Sequence, residues 1–197
     1  MINPSNELPI TMKLLIVYGS TEGQTRKICE FLRDKANKSG HQVSLVDSTG
    51  PALNPSGFDA VIIGASVHAE RYQESVKHYI MEHTKQLNAI PGIFISVSLT
   101  AAHDEQESWE ELKEITDHFL NHTGWRPTDI KQVAGALRYT KYNFLKKFIM
   151  RMIAQKSGGS TDTSKDHEYT DWEQVERIIT RLERAVNEST QKKQAAK

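Results

Sequence analysis

Five apolar residues in an unbroken run, Leu14 to Tyr18, pass directly into the turn Gly19-Ser20-Thr21-Glu22-Gly23-Gln24-Thr25. An apolar run of that length without alternation predicts a strand buried on both faces, as strands of parallel sheets are. Beyond the turn, Ile28, Phe31, Leu32 and Ala36 are spaced for one face of a helix. Strand, turn and helix in that order gather the Ser20, Thr21 and Thr25 hydroxyls, backbone N–H groups freed by the turn, and the positive end of the helix around one point. Such a turn can cradle an anion; its plainer reading is an ordinary helix N-cap. It has no Lys at the position a P-loop needs and lacks the G-x-G-x-x-G spacing of a dinucleotide fold.

The same alternation of elements continues down the chain. His41 to Val46 predicts a second strand, Ala60 to Gly64 a third, Pro91 to Ser98 a fourth and Gln132 to Leu137 a fifth. Helices are expected up to Leu87, from about Glu105 to Asn121, and from the N-cap stretch Thr170-Asp171-Trp172-Glu173 to Asn187. Strands alternating with helices imply an α/β fold, a five-stranded parallel sheet in the order 2-1-3-4-5 with helices on both faces. In such a sheet a ligand sits beyond the carboxyl ends of the strands where the strand order reverses. Three loops meet there: Ser20 to Thr25, Ser66 to Tyr72, and Ser98 to Ala102.

Length and charge narrow the options. At 197 residues the chain suits one domain with a full core, here expected over residues 12–187, between a disordered extension at 1–11 and a tail at 188–197. Twenty-five basic and 25 acidic residues cancel, giving no reason to expect a nucleic-acid partner. The lone cysteine, Cys29, excludes an internal disulfide and suits a reducing cytoplasm, where it reads as a buried thiol. No apolar run approaches the roughly 20 residues of a membrane-spanning helix, and residues 1–11 lack the pattern of a secretory signal.

About thirty residues, Arg138 to Tyr169, separate the fifth strand from the last helix, far more than a usual connection in an α/β unit. Residues 138–156 carry six basic side chains and no acidic one. Phe144, Leu145, Phe148, Ile149, Met152 and Ile153 interleave with Lys146, Lys147 and Arg151 at helical spacing. A basic amphipathic helix of this kind can lie in a membrane interface against anionic headgroups; the alternative is a helix packed on the domain with a solvated basic face.

The turn G-S-T-E-G-Q-T resembles the phosphate loop of flavodoxins, with Glu22 where they usually carry Thr. Further along, G-A-S-V-H-A-E-R-Y (64–72), G-W-R-P (124–127), A-G-A-L-R-Y (134–139), the basic segment, S-G-G-S-T-D-T (157–163) and Y-T-D-W-E-Q-V (169–175) follow one another. In that order they resemble the flavodoxin-like, quinone-dependent protoporphyrinogen IX dehydrogenases of bacterial haem biosynthesis. The resemblance runs from about Met12 to Val175.

It implies an FMN enzyme that oxidises a porphyrinogen and passes electrons to a membrane quinone, menaquinone or ubiquinone. It implies a cytoplasmic protein held peripherally on the inner face of the membrane, with homo-oligomerisation left open. FMN phosphate would be bound by Ser20, Thr21, Glu22, Gly23, Gln24 and Thr25. The isoalloxazine would be flanked by Ser66, Val67, His68, Tyr72, Ser98, Leu99 and Thr100, with Val67 or Tyr72 placed to stack on it. Arg138 and Lys141 are candidates for the substrate propionates, and Phe144, Leu145, Lys147, Phe148, Ile149, Arg151 and Met152 for membrane contact. The chain itself singles out no catalytic acid or base.

Two other classes compete: a carrier flavodoxin that only transfers electrons, and a cofactor-free interaction domain. His118 and His122 have the i, i+4 spacing of a metal pair but no evident third ligand, so no metal is expected. Trp109, Trp125 and Trp172 are expected to pack rather than to stack on a ligand.

Overall fold

A computed structural model of the chain describes residues 11–102, 106–137 and 167–195. The first apolar run forms β1, Lys13–Gly19, at the heart of a parallel sheet. Around it stand β2 (Gln42–Asp47), β3 (Ala60–Ser66), β4 (Gly92–Ser98) and β5 (Asp129–Ala134), in the order β2-β1-β3-β4-β5. The helices are α1 (Gln24–Lys38), α2 (Glu74–Leu87), α3 (Gln106–Thr123) and α4 (Trp172–Ala195). This is the five-stranded α/β architecture expected from the sequence.

The uninterrupted hydrophobicity of β1 has a direct consequence in packing. Leu14 and Ile16 point to one layer, where α1 contributes Ile28 and Leu32 and α4 contributes Val175, Ile178 and Leu182. Leu15 and Val17 point to the other, against Val76, Ile80 and Leu87 of α2 and Phe119 and Leu120 of α3. All four strand residues are fully buried, and each such side chain contributes about 1.5–3 kcal/mol. A strand with only one apolar face could not hold helices on both sides.

The strands end level. Gly19 lies beside Ala65, Ser66 beside Val97, and Ser98 beside Ala134, so the segments that follow β1, β3 and β4 emerge on one rim. The chain order reverses between β1 and β3, the place where α/β sheets open a crevice.

Two boundaries differ from expectation. The run 132–137 is two strands rather than one: β5 stops at Ala134 and Ala136–Leu137 forms β6, paired antiparallel with β7, His167–Glu168. Gly135 is the corner between them; its N–H donates to Ser98 O at 2.9 Å and its carbonyl accepts from Tyr169 N–H at 3.1 Å. The long segment therefore leaves and re-enters through a short two-stranded base. The last helix does not fade at Asn187 but continues to Ala195, because Gln191, Lys192, Lys193 and Ala195 are good helix formers even without a buried face. Its start is as expected: the Asp171 carboxylate accepts from Glu173 N–H at 2.9 Å and Gln174 N–H at 3.0 Å. Arg138, Lys141 and the proposed membrane residues Phe144, Leu145, Lys147, Phe148, Ile149, Arg151 and Met152 lie outside the described residues.

Candidate functional site

Two close approaches shape the rim. A Cβ on Gly19 would stand 2.4 Å from Val76 Cγ2, so only glycine lets the first turn of α2 pack flush against the end of β1. Gly23, just before α1, has φ of +91°, a left-handed conformation that glycine adopts without strain. That twist turns the chain from strand to helix within four residues and aims the first N–H groups of α1 into the turn.

Within the turn, Gly23 N–H donates to Ser20 Oγ at 2.9 Å, so the hydroxyl oxygen braces the loop while its own proton stays available. Thr21 is exposed, and its Oγ1 accepts from Gln73 Nε2 at 3.1 Å. Thr25 is 1% exposed, and its Oγ1 has no hydrogen-bond partner. A hydroxyl left bare in the first turn of a helix, beside unpaired helical N–H groups, costs about 1–3 kcal/mol unless something fills the gap. An anion would fill it. No acidic side chain occupies the first turn of α1; Glu22 stands just before its N-cap, Gly23.

Gln24 turns its side chain away from the turn. Its side-chain amide donates to Glu168 Oε1 at 2.7 Å and Thr170 Oγ1 at 2.9 Å, tying α1 to the segment that returns from β7. Lys27 reinforces this tie with a 2.7 Å ion pair to Glu168.

The loop after β3 is a tight hairpin. His68 and Arg71 exchange backbone hydrogen bonds of 2.8 and 3.2 Å, and the residues between them, Ala69 and Glu70, have φ of 48° and 61°. Paired positive φ values define a type I′ turn, which usually carries Asn-Gly. Holding Ala and Glu there costs about 1–2 kcal/mol per residue, a form of strain that clusters at ligand sites. Val67 extends the ladder by donating to Val97 O at 2.8 Å, and His68 stands exposed at the tip's base. His68 does not cap α2; the N-cap is Gln73.

Tyr72 corrects an expectation. It is not positioned to stack on a ring at the rim: it is 7% exposed and packed between Phe94 and Phe119, with ring centroids at 5.2 and 4.5 Å. Its hydroxyl donates to Ser96 Oγ and meets Thr116 Oγ1, both at 2.8 Å, and Gln132 Nε2 donates to that same Thr116 oxygen. Burial pushes its phenol pKa up, against the opposing pull of Ser96 and Thr116. One turn of hairpin is enough to swing the side chain inward.

After β4, buried Ser98 accepts from Ala101 N–H at 3.1 Å and so closes a 3-10 turn, Thr100–Ala102, while Leu99 and Thr100 remain half-exposed on the rim. The rim thus brings together Ser20, Thr21, Glu22, Gly23, Thr25, Ser66, Val67, His68, Ser98, Leu99 and Thr100 from three loops. Gln73 was missed by the sequence reading. Its amide donates to both Thr21 and Ser66 and so joins two of those loops, yet nothing in its local pattern marks it, since Gln is not a favoured cap. Trp125 packs in the core and Trp172 against Phe31, whereas Trp109 is 38% exposed.

The flavodoxin domain family matches residues 15–164. An Escherichia coli K12 protein named protoporphyrinogen IX dehydrogenase (quinone) is 33% identical over 183 residues, covering 92% of this chain and all of that one. A Leishmania major protein of the same name is 32% identical over 85% of this chain and 73% of its own. Among solved structures, the rubredoxin oxygen:oxidoreductase of Desulfovibrio gigas superposes with a TM-score of 0.51 at 15% identity, over 90% of this chain and 37% of that one, a likeness of fold alone. A flavodoxin domain implies a flavin, and the bare Thr25 hydroxyl at a helix N-terminus suits an anionic group. The chain belongs to the flavodoxin domain family and, within it, to the oxidoreductases named protoporphyrinogen IX dehydrogenase (quinone).

Proposed function

We propose that this chain binds FMN at the rim and oxidises protoporphyrinogen IX, handing the electrons to a membrane quinone. The observation that carries the cofactor is Thr25: a buried hydroxyl without a partner, in the first turn of α1, below a left-handed glycine. Substrate and acceptor follow from the names of relatives that match nearly the whole chain.

FMN, when bound, supplies a ring that takes hydrogen equivalents from an organic donor and passes electrons to a second acceptor. The protein's share is binding, orientation and exclusion of water. Ser20, Thr21 and Thr25 would donate hydroxyl protons to the phosphate, and the N–H groups of Glu22, Gly23, Gln24 and Thr25 would complete the cradle. Ser66, Val67, His68, Ser98, Leu99 and Thr100 would border the ring. Val67 is the better candidate for ring contact, because Tyr72 is committed to the core.

Arg138 and Lys141, which follow β6 in the sequence, would pair with substrate propionates. The segment 144–152 would hold the protein peripherally on the cytoplasmic face of the membrane; among the described residues no helix is long and apolar enough to cross it. Removing charge at Arg138 and Lys141 should slow porphyrinogen oxidation and leave FMN uptake intact. Placing Asp at Phe148 and Ile149 should abolish co-sedimentation with anionic liposomes.

The deciding experiment is anaerobic. Protein reconstituted with FMN is mixed with protoporphyrinogen IX and then with a soluble quinone, and flavin absorbance and porphyrin fluorescence are followed. Bleaching of the flavin by substrate and recovery on adding quinone is the expected result. A yellow protein that porphyrinogen does not bleach would be a carrier, and a colourless one would have no redox role.

A further inference from the structure

We infer that Gln73 fixes the proton direction of two hydroxyls at the rim and thereby makes the chain select a phosphorylated flavin over an unphosphorylated one. This deepens the FMN reading above and rests on it.

Gln73 stands at the N-cap of α2 in an extended conformation, φ −60° and ψ 134°, and makes no side-chain bond to its own helix. Its side chain is therefore free to reach across. The amide Nε2 donates to Thr21 Oγ1 at 3.1 Å and to Ser66 Oγ, on the loops after β1 and β3. Gly19 makes room for it: a Cβ there would lie 3.0 Å from Gln73 Oε1 and 3.3 Å from Gln73 Cβ. The Oε1 atom is buried without a donor.

A hydroxyl has one proton and two lone pairs. Because Thr21 and Ser66 each accept from Gln73, their protons must point elsewhere, and neither donates to an acceptor among the described residues. Both are thus set as donors, and a hydroxyl that already accepts a hydrogen bond donates more strongly through mutual polarisation. Ser66 belongs to the loop that borders the ring, whereas Thr21 stands on the turn before α1; Thr21, together with Thr25 and the N-terminus of α1, suits a group made only of negatively charged acceptor oxygens, a phosphate monoester. A carboxylate at position 73 would reverse the device. It could only accept, would pull both hydroxyl protons inward, and would add a like charge beside the anion.

The test compares two ligands that differ by the phosphate. Dissociation constants for FMN and riboflavin are measured by flavin fluorescence quenching on the full apo chain, for wild type, Gln73→Leu and Gln73→Glu, with circular dichroism and thermal unfolding of each. FMN affinity should fall about tenfold for Gln73→Leu and about a hundredfold for Gln73→Glu, while riboflavin affinity stays within about twofold. The Glu variant is isosteric and keeps the comparison if the Leu variant does not fold. Wild type that binds FMN, with variants that keep its preference for FMN or lose both flavins in parallel, would overturn this inference alone. Wild type that binds neither flavin would overturn the FMN reading and this inference with it.

Discussion

Lys27 and Glu168 are 141 positions apart in the chain and 2.7 Å apart in space. The pair joins the first turns of α1 to the strand that closes the base of the long segment, with Gln24 donating to the same carboxylate. Partial burial raises the Glu168 pKa, but the hydrogen bonds from Lys27 and Gln24 outweigh it and hold the carboxyl below its usual range. A depressed carboxyl stabilises the fold above the ordinary Glu pKa of about 4.3 and loses that contribution as pH falls through its folded value. Both side chains are partly solvated, so Glu168→Gln should cost about 0.2–1 kcal/mol at pH 7 and low salt. Urea unfolding from pH 7 down to pH 3 should show the wild-type and Gln curves converging at the acid end; a constant gap would count against the latch.

Thr25→Val should leave the apo protein as stable as wild type or slightly more so, because a bare buried hydroxyl gives way to a methyl of equal size. FMN affinity should drop about tenfold or more and riboflavin affinity should hold. Thermal unfolding with and without each flavin reads both effects. Unchanged FMN binding would remove Thr25 from the cradle.

Tyr72→Phe distinguishes a core residue from a ring-stacking one. Losing the hydroxyl strands the buried Ser96 Oγ, at about 1–3 kcal/mol, while Thr116 keeps its bonds to Leu112 O and Gln132 Nε2. The aromatic packing against Phe94 and Phe119 survives, so flavin affinity and spectrum should be those of wild type. A shifted flavin spectrum with unchanged stability would place Tyr72 at the ring after all.

Gly64→Ala tests the closeness of α1 to β3. The new Cβ would lie 2.8 Å from Cys29 Sγ and 3.2 Å from Thr25 Cγ2, both buried, and should destabilise the chain by about 1–3 kcal/mol. Adding Cys29→Ala removes the sulfur and should restore part of the loss. Burial also pushes the Cys29 thiol pKa up strongly, so thiol reagents should label it only on unfolding. Rapid labelling of the folded chain would contradict the packing.

The legible part of this protein is what repeats along the chain. Leu14 to Tyr18 reads as a doubly buried strand because every position is apolar, and the glycines and hydroxyls of Ser20 to Thr25 mark a turn that must approach something closely. Asp171 was readable as a helix cap from its type and place. The split of 132–137 at Gly135 was not, because one hydrogen-bonded corner leaves no trace in an apolar run. Residues 188–195 looked like a tail because they lack a buried face, yet their helix propensity carries α4 to Ala195.

Sequence alone pointed to the strand order, the rim on which three loops meet, and the family: the elements follow from periodicity, their order from the handedness of crossovers, and the family from resemblance in a series of local motifs. Tertiary structure alone decided which side chains face that rim. Tyr72 turned into the core through a two-residue hairpin, the Gln24 amide turned to Glu168, and Gln73 reached two loops across the space left by Gly19. The reason is physical: a strand or helix is set by neighbours a few positions away, whereas the direction of one polar side chain is settled by which distant partner can satisfy it.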